Sequence, residues 1–320
     1  MIDITLQNFE TELLQASLQQ PVLLDIWAPW CGPCRTLGPL LEKLEVAYAG
    51  RFKLAKLNSD DQPEIATQLS QAFGVRSIPF CVIFVGGQPV DGFVGALPEA
   101  QIREFLDRHV PSTEALEAEE DIAQAQALMA DGDAGAALDK LVAAVEADPG
   151  NETARFDLVR ALLEADRLDE AQAAFTPVAA RAANTITPHP RFAALAVWIA
   201  AAERARAGLD AQALEAAIAA NKRDFDARYA LAQGLLAARD FTGAMDELLE
   251  IIMRDKGWND QLARKTYVAI LELMSKPAPA AAPGAQAASA GGLQLAGPAT
   301  VAPSDPLLDQ YRRKLSMALF

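Results

Sequence analysis

The chain has 320 residues, of which 51% are hydrophobic, and its 43 acidic and 28 basic residues give a net charge of −15. The length predicts two domains or more, and the negative charge argues against nucleic acid or an anionic membrane as the main partner. No stretch approaches the ~20 apolar residues of a membrane span, the acidic N-terminal segment does not look like a signal peptide, and three cysteines fit a reducing cytoplasm.

The first informative segment is a Cys-x-x-Cys sequence placed between two regular elements. The apolar run PVLLDIWAP (Pro21–Pro29) predicts a buried strand, and the leucines that follow in RTLGPLLEKLEVAYAG (Arg35–Gly50) fall at helical spacing. The pentapeptide WCGPC, from Trp30 to Cys34, therefore lies where a strand leads into a helix N-terminus. This position favours a redox site.

The helix N-terminus explains the chemistry expected of each cysteine. Unpaired amide groups and the helix dipole favour a thiolate there by about 0.3–1 kcal/mol. We expect Cys31, at the exposed end, to attack, and Cys34, shielded one turn into the helix, to resolve the mixed disulfide. Gly32 lets a substrate backbone approach, and Pro33 stiffens the active-site loop that begins at Trp30.

Two alternatives remain for this cysteine pair. A zinc site needs a second pair of ligands, for which the chain offers only Cys81, His109 and His189. A purely structural disulfide is the other, although so short a loop constrains the unfolded chain little. For Cys81, in the apolar run FCVIFVGG, a buried strand cysteine is the main interpretation and a second redox centre the alternative. We expect no metal and no cofactor.

Residues 1–110 resemble thioredoxin. Asp25 matches the family's buried acid, which relays protons to and from the resolving cysteine, and Lys56 matches the lysine that neighbours this acid. The segment GVRSIPF matches the loop whose cis-proline faces the disulfide, which makes Pro79 the candidate. Phe80 stands where thioredoxin usually has threonine, a departure that bears on the choice of substrate and not on the chemistry that the resemblance implies.

The alanine-rich segment 111–276 repeats itself and should be helical. GDAGAALDKL aligns with DRLDEAQAAF at an offset of 34 residues, which places Ala137 on Ala171, and a further copy at an offset of 73 residues places Ala171 on Ala244. Thirty-four residues is the tetratricopeptide period. The offset of 73 predicts a longer intervening unit at about 186–210. A generic stack of helical hairpins is the alternative, and either one would bind other proteins.

The last segments are a tether and a helix. Residues 277–304 are uncharged and rich in Pro, Ala and Gly, which predicts a flexible tether. Residues 305–320 predict an amphipathic helix that docks into a partner groove; packing on the last repeats is the alternative. The side chains expected to bind the partner are Leu308, Tyr311, Arg312, Arg313, Leu315, Leu319 and Phe320.

Taken together, the segments predict an α/β thioredoxin fold (1–110), an all-α tetratricopeptide-like helical repeat domain (111–276) and a tethered C-terminal helix. This arrangement resembles the chaperedoxins. The resemblance implies a cytoplasmic, redox-active holdase that binds unfolding or oxidised client proteins, protects their cysteines by thiol-disulfide exchange and passes them to a GroEL-type chaperonin through the C-terminal helix. A thioredoxin reductase would recycle the cysteines. The alternative is a general disulfide reductase whose repeats only target it to partners.

Overall fold

The computed structural model describes residues 2–184, 187–275 and 305–319. They form two compact units, residues 2–116 and residues 117–275 with 305–319. The tether predicted at 277–304 and the predicted partner residue Phe320 lie outside the described residues. Within the described part of the chain, no helix combines the length and the apolar character needed to cross a bilayer.

The first unit is a five-stranded sheet with helices on both faces. Its strands are β1 (Ile2–Asp3), β2 (Val22–Trp27), β3 (Lys53–Asn58), β4 (Phe80–Val85) and β5 (Gln88–Val94). Its helices are α1 (Gly32–Ala47), α2 (Pro63–Phe73) and α3 (Glu99–His109), with π and 3-10 turns over Phe9–Leu18 before β2. The strand order is β1-β3-β2-β4-β5; β3 runs parallel to β1 and β2, whereas β4 is antiparallel to β2 and β5.

The central strand β2 has a core on each side because successive side chains of a strand point to opposite faces. Leu23 belongs to the core that contains side chains of α1 and α3. Leu24 and Ile26 belong to the opposite core, which contains side chains of α2. Asp25 shares the face of Leu23, so the one acid of this strand is directed to the α1 side of the sheet.

The second unit is helical. Its helices are α4 (Thr113–Ala130, whose first residues belong to the first unit), α5 (Ala134–Ala147), α6 (Glu152–Glu164), α7 (Leu168–Phe175), α8 (Ala179–Ala182), α9 (Pro190–Arg206), α10 (Ala211–Ala220), α11 (Phe225–Ala237), α12 (Phe241–Arg254), α13 (Trp258–Met274) and α14 (Pro306–Leu319). Asp or Asn caps begin many of these helices. Asp133, Asn151 and Asp240, for example, each accept a hydrogen bond from a backbone N–H three residues later.

The predicted repeat agrees with the packing. Ala137, Ala171 and Ala244, which the sequence alignment superimposes, are all fully buried, as the small residues at helix crossings must be. Helices α6 and α7 form one hairpin and α11 and α12 form another; α8, α9 and α10 come between these hairpins along the chain, in the region where the sequence predicted a longer intervening unit. The predicted fold class, a thioredoxin fold followed by helical repeats and a C-terminal helix, is confirmed.

Candidate active site

The two cysteines of WCGPC form a disulfide at the N-terminus of α1. Cys31 is the N-cap residue, and its Sγ accepts a hydrogen bond from the backbone N–H of Cys34 at 3.2 Å. Pro33 lies in the first turn, where its missing N–H removes no helical hydrogen bond. The turn holds the two Cα atoms 5.4 Å apart, within the range that a disulfide requires.

The overall exposure of the two residues does not distinguish Cys31 from Cys34, although the sequence analysis expected Cys31 to be the more exposed. Cys31 and Cys34 are 4% and 5% exposed in the disulfide form, so Cys31 is not the more accessible of the two. They differ instead in their hydrogen bonds, because the Cys34 amide donates to the Cys31 sulfur. An N–H donor stabilises the thiolate form of its acceptor, so this contact lowers the cost of ionising Cys31 after reduction.

The loop before β4 lies next to the disulfide. The Ile78–Pro79 peptide bond is cis, which confirms the sequence prediction, and Ile78 packs against the cluster formed by Ala28 and the two cysteines. The backbone oxygen of Pro79 accepts a hydrogen bond from the N–H of Gly95 at 2.8 Å. This bond ties the loop before β4 to the end of β5, so the proline is anchored to the sheet.

Trp30 presents a large apolar surface next to the cysteines. Its side chain is 70% exposed, and its indole N–H donates to the carboxylate of Asp60, with the two oxygens at 3.1 and 3.2 Å. The sequence analysis missed Asp60, although the polar run SDD (Ser59–Asp61) directly after β3 signals a loop at the same edge of the sheet as the cysteines. Asp60 therefore orients the indole beside the disulfide.

Asp25 is almost fully buried between two strands. Lys56 is its neighbour on β3 and Cys81 its neighbour on β4. The Lys56 ammonium is bonded to Glu42 of α1, a residue that the sequence analysis also missed. Burial is the main reason that the pKa of Asp25 rises from 3.8 to about 6, and the positive charge of Lys56 limits this rise. Asp25 can thus bind and release a proton near neutral pH.

The raised pKa predicts how stability depends on pH. The folded chain binds a proton on Asp25 up to about pH 6 and the unfolded chain only up to about 3.8, so the ionised carboxylate costs stability as the pH rises through this window. The difference corresponds to about 3 kcal/mol above pH 6. Asp25→Asn should therefore raise the free energy of unfolding by about that amount at pH 8 and by little at pH 4.

Urea denaturation of the disulfide form at both pH values measures this effect. Asp60→Asn is the matched control, because Asp60 is an exposed carboxylate of the same unit, and we expect a change within ~0.5 kcal/mol. Equal stability of wild type and Asp25→Asn at pH 8 would contradict the prediction.

The C-terminal helix packs on its own repeats. Leu308 and Tyr311 of α14 are each 5% exposed in the core shared with α12 and α13, and Leu315 and Leu319 are partly buried against it. The sequence analysis preferred a helix whose apolar face is free for a partner groove, whereas the described structure has the packing alternative. Arg312 and Arg313 remain exposed.

Polar contacts hold the middle of this helix. The Tyr267 hydroxyl donates to the backbone oxygen of Tyr311 at 2.8 Å, and the Tyr311 hydroxyl donates to Asp246 of α12 at 3.2 Å. Lys314 forms an ion pair with the same carboxylate at 2.9 Å. Sequence periodicity alone could not indicate that these residues meet, because they come from three separate helices.

The repeat unit contains a groove. It has a volume of about 630 Å³. Apolar side chains and four polar or charged ones line it: Ala125, Met129, Leu141, Ala161 and Met274, with Gln126, Asp157, Arg160 and Glu164. Two residues of α6 contact Arg191 of α9, which lies over the Phe156 ring at 3.7 Å and pairs with Asp157 at 3.4 Å.

Comparison with known proteins divides the chain in the same way. Residues 1–108 match the Thioredoxin family model, and residues 128–199 and 204–286 match Tetratricopeptide repeat models. Among similar proteins, Thioredoxin 1 of Nostoc sp. is 42% identical over 107 residues, which cover 33% of this chain and 94% of that protein. Thioredoxin of Chlorobaculum thiosulfatiphilum is 46% identical over 108 residues, 34% of this chain and 94% of that protein.

Thioredoxin M-type, chloroplastic, of Zea mays is 38% identical over 100 residues, which cover 31% of this chain and 58% of that protein. All three similarities concern the N-terminal third, which contains the disulfide, Asp25 and the cis-proline. The repeats are matched by their own family models. The chain belongs to the thioredoxin family, and it joins a thioredoxin domain to tetratricopeptide repeats in one polypeptide.

Proposed function

We propose that this protein is a redox-active holdase, in which the repeats bind unfolding client proteins and the cysteine pair exchanges disulfides with them. The observation that carries the proposal is a Cys31–Cys34 disulfide and a buried Asp25 in one unit of a chain whose other unit is a grooved set of repeats. A catalyst that only turned over small disulfides would need no such second unit. Surfaces built from helical repeats bind other polypeptides.

The exchange begins from the dithiol form. The Cys31 thiolate attacks one sulfur of a client disulfide; a bond forms between Cys31 and the client, the client S–S bond breaks, and the departing client thiolate takes a proton from water. The Cys34 amide, which donates to the Cys31 sulfur, favours the thiolate that makes this attack. The product is a mixed disulfide on Cys31.

Resolution transfers a proton within the protein. Asp25 accepts the proton of the Cys34 thiol, and the Cys34 sulfur attacks Cys31, so the Cys31–Cys34 bond forms and the bond to the client breaks. The second client thiolate leaves and is protonated. Two electrons have then moved from the dithiol to the client. A dithiol donor, which we propose to be an NADPH-dependent thioredoxin reductase, restores the reduced pair.

The groove of the repeat unit supports the chaperone part of the proposal. Its apolar lining, which includes two partly buried methionines and two alanines of the residues named above, suits apolar side chains of an unfolded segment. Its charged members can bind the polar backbone or charged side chains beside them. Because these contacts do not involve the cysteines, client binding should not depend on the redox reaction.

The double variant Cys31→Ser with Cys34→Ser tests both parts at once. We expect it to lose the reduction of an insulin-type disulfide, down to the rate without protein, and to keep at least most of its suppression of client aggregation in the absence of ATP. Light scattering of a heat-unfolded client measures the second property. A variant that also fails to suppress aggregation while remaining folded would favour the alternative, a plain reductase with a targeting unit.

Delivery of clients to a GroEL-type chaperonin is the remaining part of the proposal. It is supported by the resemblance of the terminal helix to that of the chaperedoxins and by the exposed side chains that α14 keeps in its packed position, Arg312, Arg313 and Met317. Contact through the buried Leu308 and Tyr311 would require α14 to leave α12 and α13. The reducing compartment in which such a protein works would be the cytoplasm.

A further inference from the structure

Cys81 is a buried thiol that the disulfide exchange does not use. It lies on β4, is fully buried and is not disulfide-bonded. In the antiparallel register of β2 and β4 it is the direct partner of Asp25, and its Sγ lies 3.7 Å from Asp25 Oδ1. A sulfur at this distance from a carboxylate oxygen is within reach of a weak S–H hydrogen bond.

The surroundings of Cys81 keep its proton on the sulfur. Burial, and next the negative charge of Asp25, raise the pKa of the Cys81 thiol well above its usual range. An ionised carboxylate has no hydrogen to donate, so in the contact between Cys81 and Asp25 the thiol is the hydrogen-bond donor and Oδ1 the acceptor. This also argues against a second redox centre, because attack on a disulfide requires a thiolate and access to it.

Two side chains, Lys56 and Cys81, flank Asp25 and act on its carboxylate in different ways. Lys56 approaches from β3 and acts through its charge, but its ammonium is bonded to Glu42 of α1. Cys81 approaches from β4 and is the hydrogen-bond donor to the carboxylate among the side chains of the described residues. The disulfide is formed at the start of α1. A hydrogen bond from a donor that stays neutral lowers the cost of burying the charged carboxylate.

We propose that Cys81 is a positioning residue for the disulfide exchange: its thiol donates to Asp25 Oδ1, holds the carboxylate from the side opposite Lys56, and takes no part in the redox cycle. The inference rests on the proposed function, in which Asp25 accepts the Cys34 proton. The donated hydrogen bond favours the charged carboxylate over the neutral acid. Cys81 therefore counteracts burial and helps keep Asp25 able to accept a proton near neutral pH.

Infrared spectroscopy of the wild-type protein tests the contact without reference to activity. In the disulfide form, Cys81 carries the only thiol of the chain, since the sequence has three cysteines and two are bonded to each other. Its S–H stretching band should shift to lower frequency in one step as Asp25 ionises, with a midpoint near pH 6. In Asp25→Asn the band should not shift. A wild-type band that does not move between pH 4 and 8 would overturn the proposal.

Two variants of nearly equal volume then test the effect on Asp25. Cys81→Ala and Cys81→Ser leave similar space, but only serine retains a donor. The carboxyl carbon of Asp25, followed by NMR, should titrate about half a unit to one unit higher in Cys81→Ala than in wild type. Cys81→Ser should restore most of the difference. Equal pKa values for Asp25 in all three proteins, or equal increases in both variants, contradict a role of the donor.

The pH dependence of resolution links the contact to function. The rate at which a mixed disulfide on Cys31 is resolved should rise with pH. In Cys81→Ala, the midpoint of this rise should move to higher pH together with the pKa of Asp25. If the pKa of Asp25 moves and this profile does not, proton transfer to Asp25 is wrong, and with it the role of Cys81 in the exchange. The infrared shift would still establish the contact, so the two failures can be told apart.

Discussion

Cys34→Ser is expected to convert a transient mixed disulfide into a stable one, so that client proteins remain covalently attached to Cys31. The first step of the exchange needs only the Cys31 thiolate, which still receives a backbone N–H bond from position 34 because the donor is the amide and not the side chain. The second step needs a thiol at position 34, and a serine hydroxyl cannot replace it. Attack continues while release stops.

Incubation of the reduced variant with a disulfide-containing client, followed by non-reducing electrophoresis and mass spectrometry, measures the result. We expect an adduct on nearly every molecule, carried by Cys31. In wild type the same species should be barely detectable. Cys81→Ser in the wild-type background is the matched control: it is the same change at the third cysteine and keeps the resolving thiol, so it should show no more adduct than wild type.

Two outcomes would contradict the assignment. An adduct located on Cys81 would show that the buried thiol is reactive, against the burial and pKa of that group. Adducts that form on Cys34 in Cys31→Ser as readily as on Cys31 in Cys34→Ser would show that the two sulfurs are equivalent. The nearly equal exposure of the two cysteines makes this comparison informative, because exposure would make them equally reactive whereas the hydrogen bond to the Cys31 sulfur favours Cys31.

Tyr311→Ala is expected to lower the free energy of unfolding of the helical unit by about 3 kcal/mol, a cost within the range for large buried side chains. Tyr311 is 5% exposed, its ring packs in the core with α12 and α13, and its hydroxyl donates to Asp246. Removal of the ring leaves a void and leaves Asp246 with the Lys314 ion pair alone. The helix should then detach at a lower urea concentration.

Urea denaturation followed through the tryptophans of the repeats, Trp198 and Trp258, measures this effect. Met317→Ala is the matched control on the same helix: its side chain is 73% exposed, so we expect a change within ~0.5 kcal/mol. Disulfide reduction should be unchanged in both variants, because α14 and the cysteines belong to separate compact units.

The same variants decide between the two interpretations of the terminal helix. If Tyr311→Ala leaves the unfolding of the repeats unchanged but abolishes co-purification with a chaperonin, the helix is a free docking element, as the sequence analysis preferred. If it destabilises the repeats and chaperonin association persists, α14 serves to close the end of the helical stack, whose last hairpin would otherwise expose its apolar side.

Local pattern and period were sufficient to predict a large part of this protein. The apolar run before WCGPC and the leucines after it predicted β2, α1 and a redox site between them, because a strand and a helix differ in the spacing of their buried residues. The offsets of 34 and 73 residues predicted three alanines at equivalent positions, and all three are fully buried. Resemblance to thioredoxin predicted the cis bond at Pro79.

The contacts that complete the site depend on the tertiary structure. Asp25 and Cys81 are 56 residues apart and meet because β2 and β4 pair in one particular register; a shift of one residue would turn one of them to the other face of the sheet. Glu42 and Lys56, and likewise Asp60 and Trp30, are distant in sequence and come into contact only through the packing of different elements. The amphipathic pattern of α14 predicted that one of its faces is buried, but it could not predict which surface covers that face, because periodicity specifies a face and not its partner. The tertiary structure shows that Leu308 and Tyr311 pack on α12 and α13.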